Sequence, residues 1–163
     1  MPTLPYLPAA YTVNGYNILI QNKSWLKPLS RASRLVQRMT QRTGGKGNIV
    51  FADDYTLQKL NHTFRKKNKP TNVLTFESPH PFIGGDIVLS FETLKKESSQ
   101  QRKPFLHHTA HILVHALLHL QGYDHLSAGE ARIMEMQEIL LLSYLGIPNP
   151  WKPRQFYEDN PRA

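Results

Sequence analysis

Six of the eight histidines fall between residues 107 and 125. His107, His111, His115 and His119 recur at every fourth position, so a helix stacks them as a drifting stripe on one side. Around them Ile112, Leu113, Val114, Leu117, Leu118 and Leu120 make that helix apolar on most other faces, the mark of a buried helix. A buried imidazole with no partner costs about 1–3 kcal/mol, and one metal ion satisfies several at once. His115 and His119, one turn apart, can both reach a single ion at the ~2.0–2.1 Å of a zinc–nitrogen bond. Gly122 can end the helix in a left-handed conformation and turn the chain back, so that His125 closes a third side. Three imidazoles leave a fourth tetrahedral position for a zinc-bound water, the open arrangement of a catalytic site. The expectation is one Zn2+ per chain on His115, His119 and His125, with His111 beside the metal rather than on it. Nickel or copper suits the same ligands. His107 and His108 are expected at the surface, near the helix start.

The elements that must hold this string follow from periodicity and turn residues. Strands are expected over Tyr16–Gln21, Asn48–Ala52, Asn72–Glu77 and Asp86–Ser90. Helices are expected over Leu29–Thr43 (with Ser30 a candidate cap), Tyr55–Phe64 after a cap by Asp53 or Asp54, Phe91–Gln100 and Phe105–Gln121. Ser127 with Glu130 makes a capping box for a last helix ending near Gly146–Pro148. Met134 and Met136 fall inside that helix as core residues. The fold class is α+β: about four strands in a mixed sheet, helices mostly on one face, and a zincin-like metal-site helix. With 163 residues and 40% hydrophobic composition, one domain is expected. Residues 1–15 read as a loose extension, 16–147 as the catalytic metal-binding domain, and 148–163 as a basic tail.

Composition narrows the chemistry. There is no cysteine, which excludes disulfides, thiolate nucleophiles and Cys-type zinc sites and fits a reducing cytoplasm. The start of the chain lacks the basic and apolar regions of a signal peptide. No stretch approaches the ~20 apolar residues of a membrane span, so a cytoplasmic protein without a membrane partner is expected. Twenty Lys+Arg against twelve Asp+Glu leave +8, a balance that favours a polyanionic partner, nucleic acid above all. Arg31, Arg34, Arg38 and Arg42 form a cationic row beside the apolar stripe Leu29, Ala32, Leu35, Val36 and Met39. Such a row can track a phosphate backbone, or be the wet face of a helix. The spacing His115-x3-His119 followed by Gly122 and His125 matches metzincin peptidases, but their general base is a Glu where this chain has Ala116. A peptidase of that mechanism is therefore disfavoured.

The string His111-Ile112-Leu113-Val114-His115-Ala116-Leu117-Leu118-His119-Leu120-Gln121-Gly122-Tyr123-Asp124-His125 resembles the hallmark of the bacterial YbeY family of zinc-dependent single-strand endoribonucleases. Leu60-Asn61-His62-Thr63-Phe64-Arg65, then Pro70-Thr71-Asn72-Val73-Leu74-Thr75-Phe76, then Gly85-Asp86-Ile87 and Met136-x-Glu138-Ile139-Leu140 are similar to further family blocks, in the family's order. The likeness spans about residues 50 to 147. Two positions depart: Ala116 stands where the family usually has Gly, and Asn72 where it usually has Asp. The resemblance implies an endoribonuclease that matures the 16S rRNA 3′ end, with single-stranded rRNA and the small ribosomal subunit or its assembly factors as partners. It also implies that Arg65 meets the charge of the phosphodiester transition state; Lys66 and Lys67 are RNA-binding candidates, and on the residues alone Arg65, Lys66, Lys67 and Lys69 also read as a solvated basic turn. Asp86 can orient a ligand histidine, or serve a turn. A non-catalytic assembly factor whose zinc only holds the fold is the remaining alternative.

Overall fold

Ile49–Ala52 and Ile87–Leu89 are unbroken apolar runs, the composition of parallel strands covered on both faces. In the computed structural model, which describes residues 9–78 and 84–151, they lie at the centre of a five-stranded mixed sheet. Its strands are β1 (Ala9–Val13), β2 (Tyr16–Ile20), β3 (Gly47–Ala52), β4 (Val73–Phe76) and β5 (Gly85–Ser90), in the order β1-β2-β3-β5-β4. β2, β3 and β5 run parallel; β1 and β4 pair antiparallel on the two edges. The described residues also form six α-helices: α1 (Leu26–Arg31), α2 (Ser33–Thr43), α3 (Asp54–Arg65), α4 (Phe91–Gln100), α5 (Phe105–Leu120) and α6 (Ala128–Tyr144).

Strand alternation sorts the helices. Ile49, Phe51, Ile87 and Leu89 point into the larger core with residues of α2, α4, α5 and α6, while Val50, Ala52, Leu74 and Val88 point the other way onto Leu57 of α3. Leu57 is fully buried, which contributes roughly 1.5–3 kcal/mol. Five helices on one face and α3 alone on the other agree with the α+β expectation. In the larger core Trp25 donates Nε1–H to the Ala52 carbonyl at 2.8 Å and packs within 4.9–5.5 Å of the Phe51, Phe91 and Phe105 rings. Asp53 caps α3, its Oδ1 accepting from Thr56 N at 2.9 Å. Ser127 caps α6, its Oγ accepting from Glu130 N at 3.2 Å. Among the described residues no helix is long and apolar enough to cross a membrane.

Three expectations are corrected. Residues 9–13 are not loose: they pair with β2 through a hairpin whose Asn14 and Gly15 both have positive φ, as a two-residue type I′ turn requires. The rest of that extension, residues 1–8, lies outside the described residues, as do 152–163 of the tail. The helix expected over 29–43 breaks at Ala32 (φ −106°, ψ 11°) into α1 and α2. Ser30 then caps nothing; inside α1 it donates to the Lys27 carbonyl.

Candidate metal centre and its cleft

The last two turns of α5 present His115 and His119, and Gly122 (φ +100°) carries the chain back past them. The return brings His125 beside both: its ring centroid is 5.7 Å from that of His115 and 6.3 Å from that of His119. Donor atoms of His119, Asp124 and His125 all lie within 4.8 Å of one another. This donor set contains Asp124, which the spacing argument left out, and does not include His115, which lines the same cleft. Asp124 also accepts the His125 backbone N–H at 2.7 Å. Among the described residues, His119 Nδ1 is buried without a hydrogen-bond partner. Imidazole nitrogens with one carboxylate, one nitrogen orphaned, form a donor set that a transition metal fits.

Behind the cleft stands Glu138 of α6, 1% exposed. One of its oxygens takes His115 Nδ1 and the other takes His111 Nε2 at 3.2 Å. Burial pushes this carboxyl up, but hydrogen bonds and charge from His111 and His115 outweigh burial and hold it below the usual carboxylate value. With Nδ1 committed to Glu138, His115 keeps Nε2 for a metal. His111 shares this carboxylate with His115, and its ring meets Trp151 edge-on at 5.0 Å. Its partner is a residue that spacing alone did not single out. The available signal was a lone carboxylate inside the buried stripe Met134, Glu138, Leu142 of α6.

Arg65, at the end of α3, lines the cleft together with His115, His119 and His125, and the cleft's volume is about 620 Å³. Its Nη2 donates to the Thr75 carbonyl at 3.3 Å. Lys67 and Lys69 line the same cleft. Lys66 turns the chain in a left-handed conformation (φ 56°), and buried Asn61 holds the turn by donating to the Lys69 carbonyl at 3.0 Å. The basic run is a solvent-exposed turn held by these hydrogen bonds.

Other expected site residues go elsewhere. Among the described residues Asp86 has no histidine partner: it points with Val88 to the α3 side of the sheet and accepts from Asn48 Nδ2 at 2.8 Å. The parity of β5 turns it away from α5, and it is Glu138 that contacts His111 and His115. The arginine row is interrupted at Ala32 and does not line the cleft. Arg38 and Arg42 lie over the Tyr144 ring at 4.7 and 3.6 Å, fastening α2 to the end of α6; Arg31 and Arg34 are exposed. His108 is not at the surface. It is 3% exposed, with Nε2 2.9 Å from Glu97 Oε1. Ala116 is buried at 1% exposed, and Met134 is core while Met136 is 60% exposed.

The model of the family described as Endoribonuclease YbeY matches residues 16–146. The chain belongs to the YbeY endoribonuclease family. Relatives bearing the name Endoribonuclease YbeY include one from Gluconobacter oxydans, 41% identical over 85% of this chain and 88% of its own length. Another, from Ehrlichia chaffeensis, is 42% identical over 89% of this chain and 96% of its own. The solution structure of TM1509 from Thermotoga maritima shares the fold, with a TM-score of 0.56 at 18% identity, over 91% of this chain and 99% of that one. The YbeY match includes α3, β4, α5 and the turn to His125, so every wall of the cleft lies inside it.

Proposed function

We propose that this chain is a zinc-dependent endoribonuclease that cuts single-stranded rRNA in this cleft, maturing the small-subunit rRNA 3′ end in the cytoplasm, in contact with the subunit or its assembly factors. The observation that carries the proposal is the meeting of His115, His119 and His125 with Arg65, Lys67 and Lys69 in one cleft. Membership of an endoribonuclease family and a net charge of +8 support RNA as the substrate. The three histidines hold the metal, with Asp124 as an adjacent donor. A zinc ion bound there supplies a Lewis acid and lowers the pKa of a bound water towards ~7.

The remaining work falls to this chain's own side chains. Arg65, already steadied by the Thr75 carbonyl, offers further N–H groups to the phosphoryl oxygens as charge gathers on them. Lys67 and Lys69 seat the flanking phosphates. Asp124, the carboxylate in the donor cluster, can take up a proton at Oδ, a role that buried Ala116 cannot fill. Glu138 keeps the His115 ring in one orientation. The row Arg31, Arg34, Arg38 and Arg42 has no part in the cut.

The test pairs metal analysis of the purified protein with cleavage of single-stranded, rRNA-like RNA by wild type, His119→Ala and Arg65→Ala. About one zinc per chain is expected, with cutting that either substitution reduces by at least about a hundredfold, and Arg65→Ala melting near the wild-type temperature. Zinc bound while RNA survives and a peptide is cut would favour a metallopeptidase. Zinc bound with no cutting, and unfolding on ligand substitution, would favour an assembly factor.

A further inference from the structure

The cleft has a region that the metal and the cations leave unused. Glu97, on α4, lines it with 30% of its side chain exposed. Its Oε1 accepts from Nε2 of buried His108 at 2.9 Å and from Asn72 Nδ2 at 3.1 Å. Among the described residues, Oε2 has only a 3.4 Å contact with the same amide, so its lone pairs remain for a ligand. Two partners thus fix a cleft-lining carboxylate whose second oxygen keeps acceptor capacity.

A nucleic acid strand brings two kinds of group past this point in alternation. Phosphates offer charge and no donor; they suit Arg65, Lys67 and Lys69 and are repelled by a carboxylate. The nucleoside between two phosphates offers donors instead. Base amines change with sequence, whereas the ribose 2′-hydroxyl is present on every RNA nucleotide and absent from DNA. A fixed anionic acceptor in a cationic cleft therefore sets the register of the strand, phosphates to the cations and a sugar to Glu97. We propose that Oε2 of Glu97 accepts a hydrogen bond from the 2′-hydroxyl of a nucleotide beside the metal centre, making the cleft choose RNA over DNA. Glu97 is then a specificity-determining residue, and His108 and Asn72 are the positioning residues behind it. The proposal rests on the reading of this cleft as the place where RNA is cut.

The test is single-turnover cleavage of an RNA carrying one 2′-deoxy nucleotide, moved stepwise past the cut site. In wild type, one position is expected to slow cutting roughly ten- to hundredfold, the loss implied by a hydrogen bond to a charged group. Glu97→Ala is expected to slow the all-RNA substrate and to erase the additional penalty at that position, since the partner is gone. Should Glu97→Ala melt before the assay temperature, Glu97→Gln provides the same readout, with the penalty reduced several-fold. Asn72→Ala removes one of the two anchors but keeps the Glu97 carboxylate and its His108 partner, and is expected to keep a reduced penalty at the same nucleotide, which a merely structural role for Glu97 would not predict. A deoxy penalty that survives both Glu97 substitutions unchanged, or no penalty anywhere in wild type, overturns the proposal and leaves the cleavage reading standing. A wild-type protein that cuts no RNA overturns that reading, and this proposal with it.

Discussion

A buried carboxylate is costly unless both of its oxygens are engaged, and Glu138 has a histidine on each. Glu138→Ala leaves His111 and His115 without that partner, so a loss of roughly 3 kcal/mol in stability is expected from urea denaturation. Metal affinity in a competition titration should fall about 10–100-fold, because the His115 ring is no longer oriented. An unchanged affinity would mean that Glu138 only packs. The contrast between this residue and Asp86 shows what spacing can carry. His115, His119 and His125 were legible because helical periodicity and one glycine turn bring them together locally. The partner of His111 and His115 lies on another helix, and choosing Glu138 over Asp86 needs the packing of α6 on α5 and the face parity of β5. Neither is a local property of the chain.

The elements followed their patterns where propensity and burial agreed. The apolar runs of β3 and β5 and the caps Asp53 and Ser127 stand as the sequence implies. β1 is hidden in the sequence by Pro2, Pro5 and Pro8 just before it, which suggest a loose arm, although Asn14-Gly15 is a strong hairpin signal. The break at Ala32 has no Gly to announce it, and Pro28 sits in the first turn of α1, where proline is tolerated. Two predictions belong at this scale. Gly47 faces Gly85 across the β3–β5 ladder, and a Cβ at Gly47 would lie 1.9 Å from the Gly85 carbonyl oxygen. Gly47→Ala should cost about 1–3 kcal/mol or more by urea denaturation, since two central strands must part. At Asp53 burial pushes the carboxyl up, but hydrogen bonds from Thr56 and Asn22 outweigh it and hold the carboxyl below its ordinary value. A lowered folded-state pKa gives stability that is present above the unfolded value, about 3.9, and lost as pH falls through the folded one. Asp53→Asn, which keeps a capping oxygen, should therefore show a smaller drop in melting temperature on acidification than wild type. Equal drops would exclude Asp53 as a source of the acid sensitivity.

Across the whole molecule, a net charge of +8 favours a polyanionic partner without pointing to a face. Arg38 and Arg42 lie over Tyr144, while Arg65, Lys67 and Lys69 line the cleft. If those three meet three phosphates, the affinity for single-stranded RNA should fall with salt at a log–log slope of roughly −2. Each alanine substitution among them should flatten that slope by about 0.7, and Arg38→Ala should leave it unchanged. Anisotropy of a labelled RNA across a potassium chloride series measures both; a slope that follows Arg38 would move the binding face to α2.

The two tryptophans make this protein its own spectrometer. Trp25 is sealed among Phe51, Phe91 and Phe105, whereas Trp151 is 37% exposed with its ring against His111. Emission from the first should stay blue until the sheet itself opens. Emission from the second comes from a ring touching the His111–Glu138–His115 relay, and it should change when metal arrives. Trp151→Phe should erase the metal-dependent fluorescence change while leaving the unfolding signal intact, so metal loading and folding can be followed in one cuvette without a label.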